Sequence, residues 1–304
     1  MRFGIWPSPA RPWDDILELT AHCERTGWDT VYFADHFMPN GPGPAPLDGN
    51  TLECWSVIAA LAASVPRVRL APLVTSVTYR HPAVLANIAA AVDQVSHGRL
   101  TLGIGAGWQE NEHAAYGLAL GTVRERMDRF EEAAQVLRSL LSQPRTTFPG
   151  RYFRLQDAPN QPAPVQERLP LLIGGGGERR TLAIAARYAD HWNAWSTPDV
   201  LAHKVSVLRA HCEQAGRDPG EIRVSTQALL FLSTDPAWLA DKRPAEPGRF
   251  PVIAGTPGEV SGIVARYRDA GAGELIVPDF TLGSLARAKD TCDLFMAEVA
   301  PAFR

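Results

Sequence analysis

The sequence predicts an α/β fold: a single (β/α)8 TIM barrel over residues 1–304, with insertion loops at its C-terminal mouth. Three observations carry that expectation. Apolar strand-like runs and helical patterns alternate from end to end, giving eight βα units of about 38 residues each. The strand segments are continuous apolar runs such as VYF, LLI and LIV, as expected of strands covered on both faces. No compositional break divides the units, and eight of them favour a closed barrel over a doubly wound sheet.

The first unit joins strand Arg2–Trp6 to a helix over Trp13–Thr26, whose Ile16, Leu19 and Cys23 share one face before Gly27. Thr30–Ala34 is the second strand. A Pro/Gly loop, Met38–Asn50, leads to a helix opened by Asn50, with Glu53 at capping-box spacing. Val68–Val74 is the third strand, backed by an Ala-rich helix over His81–Ser96, and Arg99–Gly105 is the fourth. Thr122 and Glu125 form a second capping box for a helix reaching about Leu141. The Pro-rich stretch Thr146–Arg168 is irregular, with an excursion strand at Arg151–Leu155. Strand five, Leu171–Gly174, precedes a helix to Tyr188. Strand six, His191–Trp195, precedes one started by Thr197 and Pro198. Strand seven spans Ile222–Leu232, followed by a long loop, Ser233–Phe250. Thr256–Glu259 caps the next helix, Glu274–Pro278 is strand eight, and Ser284–Val299 closes the chain.

Thirty basic against 33 acidic residues leave a net charge of −3, too balanced for a partner that is nucleic acid or a membrane surface. The apolar stretch Val57–Val65 falls far short of the ~20 residues of a membrane span. The N-terminal residues resemble a first strand and no signal peptide. Cys23, Cys54, Cys212 and Cys292 are widely spaced, as reduced thiols of a cytoplasmic enzyme would be. The expected partner is a small-molecule substrate. No Ser/His/Asp elbow, P-loop or HExxH is present, which argues against the common hydrolase, kinase and metalloprotease classes, and no metal site is expected.

In a barrel, chemistry gathers where strands end at the mouth. His36 lies one residue past strand two, where its titration range suits proton transfer, and Asp35 precedes it. Strand four ends in Gly103–Ile104–Gly105–Ala106–Gly107–Trp108, where small residues let a flat ligand approach the backbone and Trp108 offers an aromatic wall. Strand five runs into Gly174–Gly175–Gly176–Gly177, a glycine loop ahead of a helix, whose N–H groups suit an anion, with Arg179 and Arg180 adjoining. Strand six ends in Trp192–Asn193–Ala194–Trp195–Ser196, adding an aromatic and a small polar group. Asp279, after strand eight, has helix capping as its expected role. The run Arg124–Glu132 is a solvated helix face.

Taken together, GWDTVYFADHF, RVRLAPLVTSVTYRHPAVLA, SHGRLTLGIGAGWQENEHAAYG, RERMDRFEEA and PLLIGGGGERRTLAIAARYADHWN resemble the luciferase-like monooxygenase superfamily, in its branch of oxidoreductases using the deazaflavin coenzyme F-420. The resemblance is dense over residues 1–195. It implies a tricyclic cofactor ring at the mouth, lined by Asp35, Thr75, Gly105, Ala106, Gly107 and Asn111. It places the phosphate at Gly175, Gly176, Gly177, Arg179 and Arg180, with Ser196 close by, and a non-prolyl cis peptide within Pro72–Val74. Hydride transfer to or from a small organic substrate is the implied reaction, with His36 handling the proton and Trp108 beside it.

Two departures narrow the expectation. The glucose-6-phosphate dehydrogenases of this family carry a glutamate where this chain has Trp108, and their substrate-phosphate lysines have no counterpart around Ser196–Val200, so a sugar phosphate is not the expected substrate. FMN-dependent two-component monooxygenases of the same fold are the alternative, but these often hold the FMN phosphate with an arginine where this chain has Ala106. A barrel that binds a small molecule without turnover is the reading from another class. Relatives are commonly dimers, which makes a homodimer an open expectation.

Overall fold

A computed structural model describes residues 1–242, 248 and 250–304. The chain opens with β1 (Arg2–Trp6), α1 (Trp13–Thr26), β2 (Thr30–Phe33) and α2 (Cys54–Ser64). β3 (Arg69–Pro72), β4 (Thr75–Ser76), α3 (Pro82–Val95), β5 (Leu102–Gly105), α4 (Glu110–Ala115) and α5 (Val123–Ser142) follow. The middle holds β6 (Thr146–Pro149), β7 (Arg154–Ala158), β8 (Leu171–Gly174), α6 (Thr181–Tyr188), β9 (His191–Asn193) and α7 (Pro198–Ala215). The last part contains β10 (Arg223–Gln227), β11 (Leu229–Leu232), α8 (Pro236–Leu239), β12 (Val252–Gly255), α9 (Pro257–Asp269), β13 (Glu274–Pro278) and α10 (Leu285–Glu298).

Nine parallel segments run in the order β3-β2-β1-β13-β10-β9-β8-β5-β4. A bridge between Leu70 and Leu100 joins the two ends, through Leu70 N to Arg99 O (3.1 Å) and Thr101 N to Leu70 O (2.9 Å). β3 and β4 are two halves of one stave, interrupted at the cis peptide between Leu73 and Val74 that the resemblance implies. The barrel therefore has eight staves, as the sequence predicts.

Strand alternation sorts the apolar side chains into two cores. Phe3, Ile5, Val31, Phe33, Leu275 and Val277 face outward onto the helices, while Trp6, Tyr32, Ala34, Ala71, Leu73, Leu172 and Ile276 fill the barrel. Removing each large aliphatic or aromatic side chain from water is worth roughly 1.5–3 kcal/mol, so these two layers hold the scaffold rigid beneath the mouth.

The structure corrects four element expectations. Asn50 does not open α2: the Glu53 carboxylate accepts from Trp55 N (3.1 Å) and Ser56 N (2.7 Å), making Glu53 the N-cap itself. Strand seven ends at Gln227 because Leu229 N turns to Pro251 O (2.9 Å), and β11 then pairs with β12, a strand unforeseen in the sequence. The excursion is a hairpin of β6 and β7, its turn held by Glu132, which accepts from the N–H groups of Arg151, Tyr152 and Phe153. The loop expected at Ser233–Phe250 contains α8, and its residues 243–247 and 249 lie outside the described residues. Both the Thr122–Glu125 and Thr256–Glu259 capping boxes form.

Candidate active site

His36 stands beyond the end of β2, with a quarter of its side chain exposed, and its Nδ1 lies 2.7 Å from Glu112 Oε1. Glu112 is buried on α4. Its Oε1 also accepts from the Tyr79 hydroxyl, and its Oε2 accepts from Phe37 N (2.7 Å). Burial raises the proton affinity of this carboxyl, but donation from His36, Tyr79 and Phe37 outweighs it and holds Glu112 below the ordinary glutamate value. Burial and the Glu112 carboxylate together push the Tyr79 hydroxyl well above its ordinary value, so it remains a donor. A carboxylate accepts only, so Nδ1 of His36 carries hydrogen. Nε2, which has no hydrogen-bond partner among the described residues, is then the basic nitrogen of the neutral ring.

The short helix α4 is fastened so that Glu112 reaches His36. Asn111 Nδ2 donates to Pro39 O (2.9 Å), its Oδ1 accepts from Glu112 N (2.9 Å), and Gln109 Nε2 donates to Met38 O (3.1 Å). His113 bonds Gln109 O and Thr78 Oγ1, each at 2.6 Å. Asn111, expected against the cofactor, is fully buried and ties the loop after β2 to α4. Trp108 is 51% exposed, with its ring centroid 5.5 Å from that of His36 in an edge contact.

Asp35, expected beside the ring, is buried and held by Arg80 through Nη1 (2.6 Å) and Nη2 (3.2 Å); Nη2 also reaches Glu53 at 2.6 Å. Burial raises the Asp35 carboxyl above its ordinary value while Arg80 opposes that shift. Thr75 is buried, its Oγ1 accepting from Trp55 Nε1 (3.0 Å). These two residues shape the wall through other side chains.

The glycines divide by role. A Cβ on Gly103 would lie 2.1 Å from Pro72 O, and one on Gly105 or Gly174 would lie 2.7 or 2.8 Å from Val74. Those three make room for the break in the third stave. Gly107, at φ +84°, crosses to Ser76, and partly buried Ala106 precedes it. In the second run, Gly175 N donates to Asn193 O (2.9 Å), whereas the N–H groups of Gly176, Gly177 and Glu178 have no hydrogen-bond partner among the described residues. They precede α6, whose dipole favours an anion there. Arg179 is exposed and without an ion-pair partner among the described residues. Arg180 turns away to Asp128 (2.6 Å) and Glu131 (3.4 Å) on α5. Lys204, unforeseen in the sequence, reaches from α7 to Gly176 O (2.7 Å) and Glu178 Oε1 (3.2 Å).

Ser196 Oγ and Trp6 Nε1 are buried near strand ends without hydrogen-bond partners among the described residues. Asp279 is buried too. It accepts from Ser8 N (2.8 Å) and Arg11 Nε (2.5 Å), so it anchors the loop after β1 where helix capping was expected. The four cysteines are free and buried, no group of metal-ligating side chains occurs among the described residues, and no described helix is long and apolar enough to cross a membrane.

The pattern of the luciferase-like monooxygenase family matches residues 1–256. The F-420-dependent glucose-6-phosphate dehydrogenase of Kineococcus radiotolerans is 29% identical over 295 residues, covering 86% of each chain. The F-420-dependent hydroxymycolic acid dehydrogenase of Mycobacterium tuberculosis is 32% identical over 228 residues, which is 72% of this chain and 60% of that one. An F-420-dependent secondary alcohol dehydrogenase, solved with an F-420–acetone adduct, superposes with a TM-score of 0.84 at 22% identity, over 100% of this chain and 99% of its own. With a family pattern spanning most of its length and a barrel of matching architecture, the chain belongs to the luciferase-like monooxygenase family.

Proposed function

We propose that this protein is an oxidoreductase that transfers a hydride between the deazaflavin coenzyme F-420 and a small organic substrate. The observation that carries the reading is His36: its Nδ1 is fixed on a buried carboxylate and its Nε2 is left free at the barrel mouth. Relatives named as F-420-dependent dehydrogenases support the coenzyme. The chain's own polar groups suit it as well. Three backbone N–H groups at 176–178 with Arg179 and Lys204 nearby would hold a phosphate. Ala106 and Gly107 leave room for a flat ring, and Ser196 Oγ is a buried hydroxyl awaiting a partner. When bound, the deazaflavin supplies a carbon that gives or accepts hydride.

The protein's part is positional and protonic. Glu112 holds the imidazole orientation and leaves Nε2 facing the mouth, so His36 takes a proton from a substrate hydroxyl or gives one to a substrate carbonyl. Trp108, against the edge of His36, restricts its ring and covers it from solvent on one side. The cytoplasm is the compartment we infer, since four buried thiols remain reduced there.

Titrating the purified protein with oxidised F-420 and with FMN, followed by visible absorbance, tests the coenzyme. F-420 binds at micromolar or better affinity and FMN at least tenfold more weakly, about 1.4 kcal/mol. Equal affinity, or tighter FMN binding, overturns the reading.

A further inference from the structure

One side of the mouth is walled by four aromatic rings from four separate segments. Trp6 ends β1, Trp195 lies two residues beyond β9, Phe280 two beyond β13, and Phe250 two before β12. Their ring centroids form a chain: Phe280 to Trp6 at 5.2 Å, Trp6 to Trp195 at 6.0 Å, and Trp195 to Phe250 at 4.7 Å. Trp6 is buried, but Phe280 and Phe250 are 48% and 37% exposed. Exposed aromatics joined to buried Trp6 and partly buried Trp195 at a barrel mouth form a surface that gains by covering.

Among the described residues, two carboxylates of the mouth are matched by arginines. Asp279, next to Phe280, holds Arg11, and Asp35 holds Arg80. The unpaired Arg179 belongs to the glycine loop, and exposed Glu110, beside Trp108, is an anion that repels phosphate. The stave order puts the segments carrying Trp195 and Phe280 three staves from the break at Val74, on either way round the barrel.

We propose that the substrate is an uncharged alcohol or ketone with an aromatic or alicyclic body, seated on Trp6, Trp195, Phe250 and Phe280. The assignment rests on the hydride-transfer reading above. In the oxidative direction the carbinol C–H bond breaks and its electron pair leaves with the hydrogen as hydride to the oxidised deazaflavin. The hydroxyl proton passes to Nε2 of His36, and the C=O bond forms. The alcohol is oxidised and the deazaflavin reduced, and the reverse direction reduces the ketone.

The test uses 2-acetonaphthone and glucose 6-phosphate as probes, with binding to the F-420-loaded protein measured by ligand-detected NMR. The ketone binds at least tenfold more tightly than the sugar phosphate, and 1-(2-naphthyl)ethanol is turned over. Trp195→Ala and Phe280→Ala each weaken ketone binding at least fivefold, while the circular dichroism spectrum and the F-420 Kd, within twofold, are retained. Phe280 is half exposed, so its truncation leaves folding intact. If F-420 binds but glucose 6-phosphate binds as tightly as the ketone, or both folded variants bind the ketone like the parent, this assignment alone falls. If F-420 fails to bind in the absorbance titration, the hydride-transfer reading falls and this assignment with it.

Discussion

Nδ1 of His36 and Oε1 of Glu112 lie 2.7 Å apart across 76 positions of sequence, and the same carboxylate receives the Tyr79 hydroxyl and the Phe37 amide. This arrangement fixes which imidazole nitrogen is basic. His36→Ala is therefore expected to lower single-turnover hydride transfer on coenzyme-saturated protein by roughly 10²–10⁴, the usual worth of a general acid or base. Coenzyme Kd stays within threefold, because the anion loop lies elsewhere. Glu112→Gln keeps the shape but not the charge and costs at least about tenfold in the same step, about 1.4 kcal/mol. A rate for His36→Ala within threefold of the parent would remove the residue from the mechanism.

The two glycine runs respond differently to a side chain. At Gly176 a Cβ meets Lys204 Cε at 3.4 Å, an ordinary contact, so Gly176→Val folds. Its branched side chain shields the neighbouring N–H groups and weakens F-420 binding by about tenfold or more, 1.4 kcal/mol. At Gly103 the added carbon runs into Pro72 O at 2.1 Å. Gly103→Ala therefore loses roughly 1–3 kcal/mol of stability, as overpacking does. Denaturant midpoints and a coenzyme titration on both variants separate the roles, and normal F-420 binding by Gly176→Val would reduce its loop to a turn.

That division explains which parts of the molecule are legible in sequence. Helix α1, its caps and both capping boxes depend on residues three or four apart, and local spacing suffices. Gly103, Gly105 and Gly174 are legible as small but not as small for Val74, a fact of barrel closure. Glu112 sits in a run of polar residues that looks solvated, and only the fold carries it beneath His36. Arg80 and Lys204 likewise act over separations of 45 and 28 positions. The run Ile222–Leu232 gives no sign that the chain leaves the barrel at Ala228, because both of its halves are strands, β10 and β11, and no glycine or proline separates them.

Arg80 joins Asp35 to Glu53 at the edge of the site, and the Asp35 carboxylate has no exposed surface. Arg80→Met leaves that carboxylate buried without its cation, which costs roughly 3–5 kcal/mol. The double variant with Asp35→Asn recovers part of the loss, because the orphaned charge is gone. Urea denaturation of the two proteins checks this, and equal instability of single and double variants would show that Asp35 is not the group Arg80 neutralises.

His191 lies inside the base of the barrel, 3% exposed, and its Nε2 has no hydrogen-bond partner among the described residues. Burial, with Arg223, Arg2 and Arg69 nearby, pushes its imidazole down from the ordinary 6.5 to about 3. The unfolded chain takes up a proton there below pH 6.5, while the folded chain does not until near pH 3. Stability from this residue is thus complete above pH 6.5 and declines as the pH falls, by up to about 1.4 kcal/mol per unit. Between pH 7 and pH 5 the loss amounts to about 2 kcal/mol. That window lies above the ordinary carboxylate range, so Glu112 and Asp190, both held low by their partners, add little to it. Urea midpoints of the parent at the two pH values show the decline, and in a folded His191→Gln variant most of it disappears. Buried Asp35, Glu274 and Asp279, whose carboxyls are raised, gain stability as the pH falls and oppose this loss, so the difference between parent and variant is the test. A folded His191→Gln variant with the same change between pH 7 and pH 5 as the parent would mean that the buried imidazole does accept a proton in the folded barrel, despite three arginines beside it.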